Sequence, residues 1–228
     1  MTRKGKLTLA IDGPAAAGKT VVGTKMAKRL GYRFLDTGMM YRAATFAAIE
    51  ARIDLSNLQE IENNAEKTEI GVTSGQKGET RILLKGKDVT EKLRSHEVDK
   101  NVSMVSAIPK VRTVMVRNQR IAAETSGIIM VGRDIGTVVL PDSDIKFFLT
   151  ASLETRANRR FKEMQGSSVT RAPYNDVINA MRRRDEIDSS REMSPLKAAD
   201  DSIVVKTDKM TINEVVSCLL KFTDRFLT

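Results

Sequence analysis

Tryptophan is absent from this 228-residue sequence, and aromatic residues make up only 4% of it. A base-stacking platform for single-stranded nucleic acid is therefore poorly supplied. The single cysteine, Cys218, excludes an internal disulfide and suits a reducing cytosol. It falls on the apolar face of the last expected helix and reads as core. The one histidine, His96, reads as an ordinary surface residue. No apolar run approaches the roughly 18–20 residues of a membrane span. The basic N-terminus passes straight into an apolar run, so no cleavable signal is expected. These absences lead to the expectation of a cytoplasmic protein with no membrane partner. What is present is an ordinary globular composition, 41% hydrophobic and 29% charged. It suits one α/β domain with an insertion, or two small domains. The net charge of +9 asks for an anionic partner, either nucleic acid or a smaller phosphorylated ligand. The arginines are scattered rather than gathered in one tract, so a folded sheet could converge several on one phosphate pocket.

The chain is organised around residues 13–20, GPAAAGKT, which fit G-x-x-x-x-G-K-[ST] with Gly13, Gly18, Lys19 and Thr20 at the fixed places. Residues 7–11 before it form a short apolar run suited to a buried strand. After it, Val22, Met26 and Leu30 recur at helical spacing, and Gly31 can close that helix. Strand, glycine loop and helix are the context the motif needs. The loop Gly13, Pro14, Ala15, Ala16, Ala17, Gly18, Lys19, Thr20 and Val21 would make a backbone nest for a polyphosphate at the positive end of a helix. Lys19 would reach the β/γ oxygens and the Thr20 hydroxyl would ligate Mg²⁺.

Residues 32–35 predict a second strand, expected beside the first, ending in the helix-start signal Asp36-Thr37-Gly38. Residues 39–52 are Ala-rich and favour a helix. Ser56 is expected to cap a short helix through Ala65. The βαβ alternation implies a parallel sheet. From Glu69 the texture changes, and residues 70–73 and 80–84 read as a hairpin. An inserted module over about 65–105 follows from this. Pro109 opens a helix over 109–126, closed by Gly127. Residues 128–131 read as a strand buried on both faces; 146–149 and 202–206 supply further strands. Ser152 caps a helix to about Gln165, residues 166–173 read as a mobile loop, and 174–191 as an arginine-rich helix. Thr211-x-x-Glu214 is a capping box for the last helix.

Three further constellations bear on an acceptor. Thr37 and its helix start could hold a small anion, with Arg42 one turn on and Arg133 clamping the same anion. The plain alternative makes Thr37 a cap and Arg42 a surface residue. Arg184, Asp188 and Arg191 share one helix face, either as a salt-bridge ladder or as groups facing phosphates and a base. Arg156, Arg159 and Arg160, just before a polar loop, suit a lid or a solvated face. A regulatory GTPase would call for [NT]KxD, and the nearest string, Val205-Lys206-Thr207-Asp208, lacks its first residue.

Together the strings IDGPAAAGKT, LDTGMMYRA, GKDVTEKLR, NVSMVSAIPKVR, GRDIGTVVLPD, ASLETRANRR and RRRDEIDSSREMSPL, in that order, resemble bacterial cytidylate (CMP) kinases of the P-loop nucleoside monophosphate kinase family. The resemblance implies an α/β P-loop kinase fold: a five-stranded parallel sheet flanked by helices, an inserted monophosphate-binding module with a small antiparallel sheet, and a lid. It divides the chain into a core of 5–65, 105–155 and 192–228, an insert of about 65–105 and a lid of about 156–174. It implies phosphoryl transfer from ATP with Mg²⁺ to CMP or dCMP by a monomer that does not bind nucleic acid. Carried over by motif, Thr37, Arg42 and Arg133 would meet the CMP phosphate. Ser103, Arg112 and Asp188 would surround cytosine, with Arg184 and Arg191 near the base and phosphates. Arg156 and Arg160 would belong to the lid. Lys19, Arg133, Arg156 and Arg160 would be the catalytic cations. Val131 stands where the family usually has an acidic residue, which leaves Asp134 as the nearer carboxylate for the metal shell.

Overall fold

The computed structural model describes residues 6–75, 78–124, 127–166 and 172–227. In chain order the elements are β1 (Thr8–Asp12), α1 (Lys19–Leu30), β2 (Arg33–Asp36), α2 (Thr37–Glu50), α3 (Leu58–Lys67), β3 (Ile70–Ser74), β4 (Thr80–Leu84), β5 (Lys87–Asp88), α4 (His96–Val105), α5 (Pro109–Ala123), β6 (Ile128–Val131), β7 (Ile145–Thr150), α6 (Leu153–Gln165), α7 (Tyr174–Ser190), β8 (Ile203–Lys206) and α8 (Ile212–Leu227). A 3-10 turn at Lys92–Arg94 and a π-helical turn at Ile135–Val139 join them.

Five strands make one parallel sheet in the order β2-β6-β1-β7-β8. Successive residues of β1 point to opposite faces. Leu9 and Ile11 enter the core shared with α1 and α8, and Ala10 enters the core shared with α2 and α5. A strand covered on both sides needs apolar residues throughout, which is why β1 and β6 read as continuous apolar runs. The sheet corrects one expectation: β2 does not neighbour β1, because β6 lies between them. β6 pairs through Ile128–Val131 with both, and four buried apolar residues can satisfy two neighbours where the half-exposed β2 cannot.

The hairpin is present. β3, β4 and β5 form a separate antiparallel sheet. It is tied to the main sheet at Thr80, whose hydroxyl accepts from the Asp36 N–H at 2.9 Å. Ile82 and Leu84 of β4 and Val102 of α4 belong to the same apolar cluster as α2. Asn57, not Ser56, caps α3: its side-chain oxygen accepts from the Glu60 N–H, and Glu60 returns the bond through Oε1, which a serine hydroxyl one residue earlier cannot reach. The capping box holds, with Glu214 Oε2 accepting from the Thr211 N–H at 2.7 Å and the Glu214 N–H reaching Thr211 Oγ1 at 3.3 Å. Gly31 closes α1 at φ 65°. Cys218 is half-buried against the α1/α8 cluster, and His96 is exposed at the start of α4. Most of the expected loop at 166–173 lies outside the described residues.

Candidate active site

The loop after β1 turns tightly enough that Gly13 adopts φ +144°, and a Cβ there would lie 2.0 Å from the Leu149 carbonyl oxygen. No other residue fits this place. Gly18, at φ 96°, precedes α1, and no acidic residue stands in the first turn of that helix. The positive end of α1 is therefore left for an external anion. Lys19 is buried and its Nζ donates to the Pro14 carbonyl at 2.8 Å. Burial, then the Arg133 charge, pushes the Lys19 ammonium well below the ordinary lysine range, while Asp36 and Asp12 oppose them. A polyphosphate would supply the missing counter-charge.

Beside the loop, Thr20 is exposed and its hydroxyl donates to Asp36 Oδ2 at 2.6 Å. No group of three or more His, Cys, Asp or Glu among the described residues could hold a metal by itself. One hydroxyl and one adjacent carboxylate nevertheless fit Mg²⁺, which takes oxygen ligands and commonly shares them between a carboxylate or two, water and substrate phosphates. The carboxylate at this place is Asp36 and not Asp134. Asp134 is buried and paired with Arg112 instead. The Val131 side chain packs into the apolar cluster under α1, and the acidic residue beside it is Asp36, its neighbour on β2.

The acceptor candidates come from α2, α4, α5, α6, α7 and the loop after β6. Arg133, after β6, gives its Nε to Asp188 Oδ2 at 2.9 Å. Asp188 is buried on α7 and also takes Arg191 at 3.5 Å. Burial works to raise the Asp188 pKa, but Arg133, Arg184 and Arg191 together outweigh it and hold the carboxyl below its ordinary value. Arg184 is lowered to about 10 by burial and then by Arg133. Its Nε is buried without a hydrogen-bond partner. Arg42 of α2 donates to the Leu93 carbonyl at 2.9 Å and to Asp99 Oδ1 at 2.5 Å, so it is no stray surface residue. Arg112 is the largest fully buried side chain, bonded to Asp134 and to the Ser106 carbonyl and lying 5.2 Å from the Tyr41 ring centre. Ser103 sits half-buried on α4, its carbonyl accepting from the Ser106 hydroxyl. Thr37 is buried and donates to the Val131 carbonyl at 2.9 Å. Arg156 is buried against Ala151 O and Asp185 Oδ2, and Arg160 reaches Asp99 and Glu163.

A phosphate nest and a cluster of guanidiniums thus share one end of one sheet, close enough that Lys19 feels Arg133 and Arg184. The family model described as Cytidylate kinase matches residues 9–225. This chain belongs to the cytidylate kinase family. Curated relatives named cytidylate kinase are 42% identical over 222 residues in Bacillus licheniformis, covering 96% of this chain and 97% of the relative. In Caldanaerobacter subterraneus subsp. tengcongensis the figure is 45% over 208 residues, covering 91% and 90%. In Bacillus subtilis it is 40% over 218 residues, covering 95% and 96%. Among solved structures, shikimate kinase from Bacteroides thetaiotaomicron matches with a TM-score of 0.50 at 11% identity over 96% of this chain and 98% of that one, a likeness of fold alone. The protein is a phosphotransferase of the kinase class, with the nucleotide-binding P-loop fold, and no helix among the described residues is long and apolar enough to cross a membrane.

Of the carboxylates around the site's cations, Asp134 and Asp188 are among the residues the motifs single out, and Asp12, Asp99 and Asp185 are not. Asp12 ends β1 and accepts from the Ile135 and Gly136 N–H groups at 2.8 and 2.7 Å. Burial raises its pKa to about 6, against those two bonds. The aspartate in IDGPAAAGKT, a polar residue closing a buried strand, was the signal available for it. Asp185 was equally visible next to Arg184. Asp99 had no such signal, because its partners are far away in sequence.

Proposed function

We propose that this kinase transfers the γ-phosphoryl group of ATP to CMP or dCMP, giving ADP and CDP or dCDP. The observation that carries the reading is the meeting of the Lys19 nest with the Arg133–Asp188–Arg184 cluster at the ends of β1 and β6. The CMP phosphate has a second pKa of about 6, so at neutral pH it is already a dianionic nucleophile and needs no base. One of its oxygens attacks the γ-phosphorus in line, the β–γ bridging bond breaks, and ADP leaves with the electron pair. What the protein must supply is alignment and positive charge. Lys19 and the α1 N-terminus take the donor phosphates. Thr37, Arg42 and Arg133 take the acceptor phosphate, and Arg156 and Arg160 complete the cationic wall. Ser103, Arg112, Asp134 and Asp188 frame the cytosine and sugar, flanked by Arg184 and Arg191. Thr20 and Asp36 would hold Mg²⁺, which when bound neutralises charge on the β- and γ-oxygens. The insert over about 65–105 and the lid over about 156–174 exclude water by closing on both substrates. On this reading the +9 charge serves phosphate pockets rather than nucleic acid.

A coupled assay with ATP against CMP, dCMP, UMP and AMP tests it. Turnover of CMP and dCMP well above the other two is expected. Failure to form CDP at any magnesium concentration, or a preference for AMP, overturns the assignment.

A further inference from the structure

One carboxylate ties together two of the guanidiniums that the proposed reaction requires. Asp99, in the first turn of α4, takes Arg42 of α2 on Oδ1 at 2.5 Å and Arg160 of α6 on Oδ2 at 3.2 Å. The three residues thus join the core, the insert and α6, most of which lies within the proposed lid. Their side chains are 17%, 31% and 39% exposed for Arg42, Asp99 and Arg160, so the cluster stands at the mouth of the site, neither sealed nor fully solvated. Leu93 O holds Arg42 from a second side, and Glu163 meets Arg160 at 3.5 Å. Asp99 and Arg42 both act on Arg184, which places this carboxylate inside the same cationic cluster as Arg133 and Asp188.

We propose that Asp99 is a built-in counter-anion for the acceptor-site arginines, a positioning residue that draws Arg42 and Arg160 together and that the acceptor phosphate must displace. The inference rests on the CMP kinase reading of the site. A guanidinium has five donors in a fixed planar fork, and an edge given to a carboxylate is not available to a phosphate. The carboxylate also repels a dianion arriving at the same cluster. Asp99 therefore keeps the arginines ordered and spares them mutual repulsion, at the expense of acceptor affinity.

Asp99→Asn keeps the shape and removes the charge. CMP is titrated into wild type and variant by calorimetry without ATP, at low and high salt, with KM and kcat measured alongside. CMP is expected to bind about three- to tenfold more tightly to the variant, the range that one or two half-exposed ion pairs supply. KM should fall with Kd, kcat should not rise, and the gain should shrink at high salt. Asp99→Glu, which keeps the charge, should bind CMP as wild type does. Equal or weaker binding by Asp99→Asn, or a glutamate variant that behaves like the asparagine one, overturns the proposal. Inorganic phosphate titrated in parallel separates the two readings. Tighter phosphate binding in Asp99→Asn with no CMP binding by either protein would keep the counter-anion and remove CMP as acceptor.

Discussion

Arg112 is 1% exposed on its side chain and Asp134 5%, and they face each other with no room for water between them. Replacing Arg112 by Met removes the cation and leaves Asp134 buried without its partner. Breaking a buried pair from one side costs about 3–5 kcal/mol, because the remaining charge is uncompensated. The Ser106 carbonyl also loses its donor, for about 1 kcal/mol more. A total near 4–6 kcal/mol is a third or more of the stability of an ordinary domain. For a chain of this length it corresponds to a fall in Tm on the order of 10–20 °C. Asp134→Asn removes the stranded charge, so the double variant should be more stable than the sum of the two single losses by about 2–3 kcal/mol. Urea unfolding followed by far-ultraviolet circular dichroism measures this cycle, since the absence of tryptophan leaves little intrinsic fluorescence to follow. If Arg112→Met lies within about 1 kcal/mol of wild type, or the two changes simply add, the pair does not hold the fold. Arg112 would then be a ligand-only group, and the structural argument would fail.

Other outcomes follow from the same geometry. Lys19→Ala should nearly abolish turnover while leaving the circular dichroism spectrum and Tm close to wild type; a wild-type kcat would remove Lys19 from the mechanism. Asp36→Ala should raise the magnesium concentration needed for half-maximal ATP binding, read by calorimetry, while ATP binding without metal changes little; an unchanged magnesium requirement would free Thr20 of its assigned neighbour. Asp12 has a folded pKa raised from 3.8 to about 6 by burial, so its contribution to stability is fully present below about pH 4 and is lost as pH rises through 6. Asp12→Asn should therefore gain on wild type by on the order of 3 kcal/mol between pH 4 and pH 7; a constant difference in Tm across that range would refute the assignment.

The phosphate nest was legible because backbone geometry dictates it. Gly13 cannot carry a Cβ against Leu149 O, so the glycine stands in the string whatever surrounds it. The same holds for Gly31 after α1 and for Thr211 and Glu214 before α8, where local bonds close within a few residues. Strand order was not legible. The preference for sequential strands to pair is a tendency, and β6 overrides it by burying apolar side chains on both faces. The arginines of the site were legible as types in motifs, and so was the pairing of Arg191 with Asp188 three residues before it, but the distant partners were not. Arg42 is bound to Asp99 57 residues away, Arg133 to Asp188 55 residues away, and Arg160 to Asp99 61 residues away. Pairing across such separations is set by packing of α4, α6 and α7, about which no local string carries information.

The corrected strand order gives Arg133 a larger part than motif spacing alone assigns it. Because β6 separates β1 from β2, the loop Gly132-Arg133-Asp134 stands between the P-loop on one side and the Asp36-Thr37 turn on the other. Both flanks grip it: Thr37 donates to the Val131 carbonyl, and Asp12 accepts from the Ile135 and Gly136 N–H groups. Gly132 permits the first contact, since a Cβ there would lie 2.7 Å from Thr37 Oγ1. After burial itself, the charge of Arg133 acts most on Lys19. A cation between two phosphates that exchange a phosphoryl group is worth most when negative charge spreads over the transferring oxygens. Arg133→Ala should then lower kcat by about 10²-fold or more and weaken CMP binding as well, a loss in both steady-state parameters. Arg42, on the acceptor flank, should when replaced by Ala raise the CMP KM more than it lowers kcat. Steady-state kinetics of the two variants side by side decides between the roles: an Arg133→Ala enzyme with kcat intact and only a raised CMP KM would place that guanidinium on the acceptor alone and remove it from the path of the moving group.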